Sequence, residues 1–244
     1  GCIVTNQIIN NSNLKVLLIE AGPNDSNPVV QVPLGYGMTF YHKKMNWNFY
    51  SSFQKNLNNR EIYYPRGKVV GGSGSINAMI YARGLKTDFD NWAFSQNWSW
   101  DNIKSAYEDI ELAVQSNTKK IPPYKIPVND VSSQHHPILK HYFAASQDFE
   151  FKRNNELNSS TDNQVGNYNV NILNGYRASS AKIFLKPIKK HPNLTILTNA
   201  EVLKLYFVNK KISGLKIKHK NKIINIKPNI GTILSSGSIT TPYL

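Results

Sequence analysis

The chain has 244 residues, 40% hydrophobic and 18% charged, so it can bury a core, and disordered and fibrous classes are excluded. Its net charge is +14, and its one cysteine, Cys2, excludes an internal disulfide framework and a thiolate metal cluster. No run approaches the roughly 18 consecutive apolar residues of a membrane helix, and the first residues do not show the basic-then-apolar layout expected of a secretory signal. We therefore expect a cytoplasmic protein without a transmembrane segment, with peripheral membrane attachment as the alternative.

The positive charge does not by itself indicate a nucleic-acid partner. Of the 29 basic residues, 24 are lysine and 5 are arginine, whereas nucleic-acid surfaces favour arginine and aromatic platforms. Twelve lysines lie between Lys182 and Lys227, where the sequence predicts a strand meander, and strand edges often carry lysine to block pairing. We expect a solvated face and no nucleic-acid site.

The first two predicted elements make half of a βαβ unit. Val4 and Ile8 share one face of a predicted helix, and the apolar run over residues 15–22 predicts a buried parallel strand. Gly1 and Glu20 have the spacing of the last glycine of a dinucleotide-binding turn and the acid that binds the ribose hydroxyls. The other two glycines of such a turn would precede residue 1, so an ordinary βα unit that ends in a glutamate is the alternative.

Four further segments follow from their composition and periodicity. Residues 23–33 contain three prolines and predict turns, and the aromatic residues over 41–64 predict extended segments. Apolar residues recur at i, i+3, i+4 and i+7 over 99–111, which predicts a helix with Ser99 as its cap. A weaker repeat of that pattern predicts a second helix over 138–147.

The last third of the chain is predicted to be rich in strands. Residues 194–227 predict three strands joined by tight turns at 209–211 and 220–222. An apolar run predicts a final strand over 231–236. The chain stops in what the sequence predicts to be a strand-to-helix turn and begins with glycine, so we expect a piece of a longer protein.

The most specific signal is a glycine-rich segment that begins at Tyr64. Four glycines and two serines lie between residues 64 and 81, flanked by apolar pairs. Such a loop lets the backbone approach a flat or anionic ligand closely. With the strand ending at Glu20, this segment resembles the first signature of the glucose-methanol-choline (GMC) oxidoreductases, and among them the choline dehydrogenase-like enzymes. Four more blocks follow in the family's order, at residues 87–92, 175–181, 193–202 and 233–242.

The resemblance implies an α/β fold that includes α+β elements: an incomplete, Rossmann-like FAD-binding fold with an added antiparallel strand meander. Residues 1–244 would be a partial FAD-binding domain, with part of the substrate-side region around 85–175. Gly1 would admit the pyrophosphate to a helix N-terminus, Glu20 would accept from the ribose hydroxyls, and the backbone of Val202 would bind the adenine edge. The residues implied beside the pyrophosphate and the flavin are Arg66, Gly67, Gly71, Gly72, Ser73, Asn77 and Ala78.

Some positions depart from the family pattern. Members that tether the flavin use a histidine where this chain has Ile76, so the resemblance implies noncovalent FAD. Gly74 stands where relatives more often have serine. The segment 148–166 lacks the expected glycines and is rich in asparagine and serine from Asn154 to Ser160.

The chemistry that the resemblance implies is oxidation of choline or another primary alcohol, with hydride transfer to the flavin and an electron acceptor as second partner. The catalytic histidine of the family would lie beyond Leu244, so we predict no catalytic residue in this chain. A metal site at His135, His136 and His141 is disfavoured against a polar helix entrance. Asp88 and Asp90 are interpreted as a surface turn that leads into a helix.

The second hypothesis is a non-catalytic remnant with at most weak flavin or polyanion binding. A bound-flavin spectrum would favour the oxidoreductase. The sequence predicts no oligomeric state, no particular alcohol and no particular acceptor.

Overall fold

A computed structural model of the chain describes residues 1–92, 96–114, 122–155, 157–159 and 164–244. The α-helices are Cys2–Asn11 (α1), Pro28–Gln31 (α2), Tyr36–Thr39 (α3), Lys86–Asn91 (α4), Trp100–Ile110 (α5), Leu139–Gln147 (α6) and Gly237–Tyr243 (α7). The strands are Val16–Ile19 (β1), Phe49–Tyr50 (β2), Tyr63–Tyr64 (β3), Ile80–Tyr81 (β4), Glu111–Val114 (β5), Ile126–Asn129 (β6), Lys152–Arg153 (β7), Gln164–Val165 (β8), Asn169–Val170 (β9), Ile172–Leu173 (β10), Tyr176–Arg177 (β11), Leu194–Leu197 (β12), Ala200–Val208 (β13), Lys211–His219 (β14) and Lys222–Ile226 (β15).

The chain divides into two compact units. The first unit comprises Gly1–Ala78 and Ser179–Leu244, and the second comprises Met79–Ala178. All ten residues to which the sequence assigned a role in cofactor binding belong to the first unit. The mixture of helices, a parallel strand pair and an antiparallel meander confirms the predicted α/β class.

The first unit begins with the predicted helix and parallel strand, but the predicted burial of the strand is wrong, because Leu17 is 41% exposed. β1 pairs in parallel with β12, from Val16 opposite Leu194 to Ile19 opposite Leu197. The predicted apolar face of α1 is wrong, because Val4 is 39% exposed. The buried face carries Thr5, Asn6 and Ile9 instead.

A polar contact accounts for that orientation of α1. The Asn6 Nδ2 donates to the carbonyl oxygen of Phe184 at 2.9 Å, within a π-helical turn over Ala181–Leu185 that packs on α1. A buried amide needs its partner, so the hydrogen bond turns this side of α1 inward although Val4 is more apolar.

The meander is the three-stranded antiparallel sheet β13-β14-β15. Its buried cluster is Ala200, Leu205, Leu215 and Ile217. Both predicted turns are confirmed, and the two turn residues have positive φ in each: Asn209 and Lys210, then Lys220 and Asn221. These φ angles are those of the hairpin turns that match strand twist.

Two strand predictions at this end of the chain are wrong. The segment 194–227 contains four strands, and the first of them, β12, pairs with β1 and not with the meander. Residues 231–235 have no regular secondary structure, although Leu234 packs against the meander cluster. A strand is defined by its ladder, and no described strand pairs with this segment.

The aromatic segment is extended as predicted, since β2 pairs with β3 in a short hairpin. The segment 23–33 contains the short helix α2 as well as turns. Asn27 caps α2, with its side chain accepting from the Val29 N–H at 3.0 Å.

The second unit contains the four-stranded sheet β4-β9-β6-β5 and the two predicted helices, α5 and α6. Ser99 stands at the N-cap of α5, but its side chain makes no capping hydrogen bond. The predicted turn at Asp88 and Asp90 is wrong, because both lie inside α4. Asp88 accepts from the Leu85 N–H at 2.9 Å, and Asp90 pairs with Lys86 one turn earlier.

No helix among the described residues is both long and apolar enough to span a membrane.

A half-buried ion pair lies in the second unit. The Arg83 Nε donates to Glu111 Oε1 at 2.7 Å, and a second guanidinium nitrogen pairs with Oε2. The Tyr81 hydroxyl also donates to Glu111, and burial together with this carboxylate raises the pKa of Tyr81. The two charged side chains are only 15% and 14% exposed, so water screens the pair weakly.

We expect Glu111→Gln to destabilise the protein by about 3 kcal/mol, because Arg83 would keep its charge without an anionic partner. The matched control is Glu108→Gln, whose pair with Lys104 is exposed and 3.9 Å long, and whose cost should stay below about 0.5 kcal/mol. Denaturant unfolding of both variants measures the difference. Equal losses would contradict a structural role for the Arg83 pair.

Candidate functional site

The glycine-rich loop is a compact turn held by its own backbone. Gly71 has φ +92° and Gly72 φ +60°, and a 3-10 turn over Gly72–Ser75 follows. The Ile76 and Asn77 N–H groups both donate to the Ser73 carbonyl, at 3.1 and 2.9 Å. The buried Ser75 hydroxyl donates to the Val70 carbonyl at 2.8 Å, which closes the loop from inside.

The glycines of the loop serve different purposes. A Cβ at Gly67 would lie 2.3 Å from the Gly72 backbone, and one at Gly71 would lie 2.4 Å from the Ser75 Oγ. A Cβ at Gly72 would meet no described protein atom within 4 Å. Protein packing therefore requires Gly67 and Gly71, whereas Gly72 is constrained by its left-handed φ and its side faces open space.

The N-terminus of α1 lies beside this loop. Gly1 is the N-cap of α1, and its carbonyl accepts from the Thr5 N–H at 2.9 Å. Ser180 forms a side-chain hydrogen bond with Cys2, and its Oγ lies 3.5 Å from the Gly71 carbonyl oxygen. Burial is the main cause that raises the pKa of the Cys2 thiol. Because the N-terminus of α1 lies beside the loop, the dipole of this helix adds a positive electrostatic potential there.

Glu20 follows β1 directly, at the carboxyl end of the strand. Its Oε1 accepts from the Gly22 N–H at 2.8 Å. Burial raises the pKa of Glu20, and the Gly22 hydrogen bond and then the charge of Lys68 act in the opposite direction. The side chain is a half-buried acceptor held by the backbone of its own turn, at Gly22 and at Ala21.

Val202 lies on β13, the edge strand of the meander. The Ala200 N–H donates to the Glu20 carbonyl at 2.9 Å, so Ala200 directs its backbone groups away from β14. Backbone direction alternates along a strand, so Val202, two residues further, presents its N–H and C=O on that same outer edge. The register shift of the hairpin comes only after Val202.

The remaining predicted residues belong to the loop and its approach. The Arg66 N–H donates to the buried Asn46 Oδ1 at 2.9 Å, and its guanidinium donates to the Pro65 carbonyl at 2.7 Å. The Ser73 Oγ accepts from the Gly67 N–H at 3.1 Å. Asn77 is exposed and Ala78 is half-buried.

The structure links Gly1, Glu20, Gly67, Gly71 and Val202 through one or two intervening contacts. Arg66, Asn77 and Ala78 lie next to this group along the chain, at the two ends of the loop segment. Sequence reasoning missed three residues that make the links, namely Gly22, Lys68 and Ser180. Ser180 had a signal, since it lies in the family-like block at 175–181, whereas Lys68 and Gly22 had none beyond their places in the signature segments.

The other candidate residues from the sequence do not form a second site among the described residues. Among the residues that the structure describes, no three His, Cys, Asp or Glu side chains cluster as metal ligands would. His136 accepts from the Ile138 N–H at 3.2 Å, at the entrance to α6. Of the asparagine- and serine-rich segment, Glu156 and Ser160 lie outside the described residues.

Comparison with known proteins identifies the family. The sequence model of the family described as GMC oxidoreductase matches residues 6–244. This chain belongs to the GMC oxidoreductase family. The N-terminal domain of GMC oxidoreductases binds FAD, and the residues described above lie within the matched range, except Gly1, Cys2 and Thr5 at its start.

The relatives agree with that assignment. The chain is 33% identical to alcohol dehydrogenase [acceptor] of Pseudomonas putida over its whole length, covering 45% of that protein. It is 26% identical to oxygen-dependent choline dehydrogenase of Photobacterium profundum, again over its whole length and 44% of the relative. This GMC chain thus spans less than half the length of the curated relatives that it matches.

Solved structures share the fold. Formate oxidase of Aspergillus oryzae RIB40 matches the whole chain with a TM-score of 0.84 at 21% identity, and the match covers 44% of that structure. Pyridoxine 4-oxidase from Mesorbium loti matches 93% of the chain with a TM-score of 0.82 at 22% identity, covering 45% of that structure.

Proposed function

We propose that this chain is the FAD-binding part of an oxidoreductase that acts on CH–OH donors, with choline or another primary alcohol as substrate. The observation that carries the proposal is the convergence of a helix N-terminus, a strand-end glutamate and a left-handed glycine loop in the first unit. Membership of the GMC family supports the same cofactor.

The pyrophosphate would lie between Gly1 and the loop of Gly67, Gly71, Gly72 and Ser73. The N-terminus of α1 supplies N–H groups and a positive dipole for an anion. The open side of Gly72 fits a ligand that passes against the backbone, since a Cβ there meets no described protein atom within 4 Å. Arg66 would add a positive charge on the approach to the loop.

The adenosine would lie against Glu20 and Val202. An ionised carboxylate accepts from both ribose hydroxyls, and the outer edge of β13 offers a backbone donor and acceptor to the adenine edge. The hydrogen bond from Ala200 to the Glu20 carbonyl fits this arrangement, because it joins the two recognition elements.

The flavin ring would lie near Asn77 and Ala78, at the end of the loop. Ile76 is buried with Val30, Met45 and Val69 and carries no nucleophilic atom, so FAD would be held noncovalently. When bound, FAD supplies the hydride acceptor for alcohol oxidation. The residues of this chain would bind and orient FAD, and we assign none of them a proton-transfer role.

The names of the relatives support the alcohol and the need for an electron acceptor. The test is the absorption spectrum of the purified protein that carries this chain, before and after anaerobic addition of choline or other primary alcohols. We expect a bound-flavin spectrum that an alcohol bleaches. No bound flavin after incubation with FAD would overturn the cofactor assignment, and a flavin that no alcohol bleaches would overturn the substrate class.

We expect Gly72→Val to abolish FAD incorporation, because the new side chain would project into the space proposed for the cofactor. The matched control is Gly175→Val, since Gly175 has φ +75° and also faces open space, so both variants incur about 1–2 kcal/mol of the same backbone strain. The ratio of flavin to protein absorbance, at equal thermal stability, is the measurement. Full flavin loading in Gly72→Val would remove the loop from the cofactor site.

We expect Glu20→Ala to weaken FAD binding by about 1–3 kcal/mol, the cost of losing hydrogen bonds to a charged acceptor. Glu20→Gln keeps an acceptor for the Gly22 N–H but removes the charge. Its affinity for FAD should lie between those of the unsubstituted protein and Glu20→Ala. Glu61, an exposed acid, provides the control as Glu61→Ala. Flavin fluorescence titration of the apoproteins measures the affinities, and unchanged binding by Glu20→Ala would make Glu20 a mere strand-end residue.

A further inference from the structure

Lys68 lies where three segments of the first unit meet. Its Nζ is 3.3 Å from Glu201 Oε2, and it lies 4.0 Å from the centre of the Trp47 ring. Its N–H donates to the Met45 carbonyl at 2.8 Å, which anchors the backbone beneath the side chain. The Lys68 side chain is 25% exposed, so its ammonium is held by two partners in a partly desolvated position.

The backbone of Lys68 also closes on the end of β1. A Cβ at Gly22 would lie 1.7 Å from the Lys68 carbonyl oxygen, so the two backbones are in direct contact. Gly22 is the residue whose N–H binds the Glu20 carboxylate. Lys68 is therefore connected to Glu20 by the Gly22 turn. It is connected to Val202 by Glu201, which precedes Val202 in the chain.

The charges around Glu20 come from several elements. Lys68 is the side chain whose charge lowers the pKa of Glu20, against the larger effect of burial. On α1, the charges of Glu20 and Asp25 both raise the pKa of the Cys2 thiol, after the larger effect of burial. β12 contains no charged residue, and β13 contains Glu201 and Lys204. The charge of Lys68 thus acts together with the Gly22 hydrogen bond against burial, which favours the protonated form of Glu20.

We propose that Lys68 is a positioning residue for the adenosine half of the FAD site. Its ammonium joins Glu201, the neighbour of Val202, to the glycine-rich segment, and its backbone packs against the Gly22 turn whose N–H binds the Glu20 carboxylate. This inference rests on the proposed binding of FAD by Glu20 and Val202, and it adds a residue that touches neither the flavin nor the reacting atoms.

The test is Lys68→Gln in the protein that carries this chain, with the dissociation constant of FAD measured by flavin fluorescence between about pH 5 and pH 9. Protonation of Glu20 weakens binding, so affinity falls as the pH decreases through the pKa of Glu20. Loss of the lysine charge raises that pKa, so the fall begins at a higher pH. We expect the fall in affinity to move to higher pH in Lys68→Gln, with an affinity loss of about tenfold at the acid end and a smaller loss at the alkaline end.

Three variants separate charge from packing. Lys68→Arg keeps the charge, so the pH at which FAD affinity falls on acidification should not change. Lys211→Gln removes an exposed lysine from the start of β14, opposite Val208 and so at the far end of β13 from Glu201, and should change nothing. Glu201→Gln breaks the ion pair but leaves the charge of Lys68. Affinity for FAD should therefore fall several-fold, without a change in the pH at which it falls on acidification.

The Glu201 side chain is 42% exposed, so Glu201→Gln should fold even if Lys68→Gln does not. Unchanged FAD affinity in Glu201→Gln or in Lys68→Gln would overturn the inference. A loss that is equal at every pH and that Lys68→Arg shares would also overturn it, because it would indicate packing alone. Failure of the unsubstituted protein to bind FAD would instead overturn the proposed function, and this inference with it.

Discussion

The first unit depends on a contact between two stretches of backbone, at Gly22 and Lys68. The Lys68 carbonyl occupies the position that a side chain on Gly22 would need. On either side, the Val70 N–H donates to the Pro23 carbonyl at 3.0 Å and the Asn199 N–H donates to the Gly22 carbonyl at 2.8 Å. The end of β1, the glycine-rich loop and the start of the meander are therefore joined by main-chain groups, which have few alternative positions.

This backbone contact positions the polar groups of the candidate site relative to one another. Glu20 is held by the N–H of the same Gly22, and the edge of β13 is held by the Glu20 carbonyl. Ser180 connects the loop to Cys2 at the start of α1. A binding site assembled in this way depends on rigid backbone elements more than on side-chain rotamers, and that suits recognition of a nucleotide cofactor.

Local pattern and family resemblance predicted the elements that are periodic or close in sequence. Helix α1, helices α5 and α6 and the two hairpin turns of the meander follow from periodicity and turn chemistry, and the structure has them within about two residues; strand β1 ends three residues before its predicted bound. The face of α1 could not be predicted in that way, because the Phe184 carbonyl that binds Asn6 lies 178 residues away. The partner of β12 was missed for the same reason, since ladder pairing depends on contacts that sequence distance hides.

The sequence by itself determined the family, the glycine-rich loop and the acid at the end of β1, because each is a short string whose residue types are dictated by backbone geometry or charge. Only the tertiary structure decided which glycine is required by packing and which faces open space, since Gly67, Gly71 and Gly72 are alike as letters and differ in their neighbours. It also decided the place of Lys68, one lysine among 24. Its contacts with Glu201 and Trp47 bring together residues from separate parts of the chain, and such proximity is a property of the folded backbone alone.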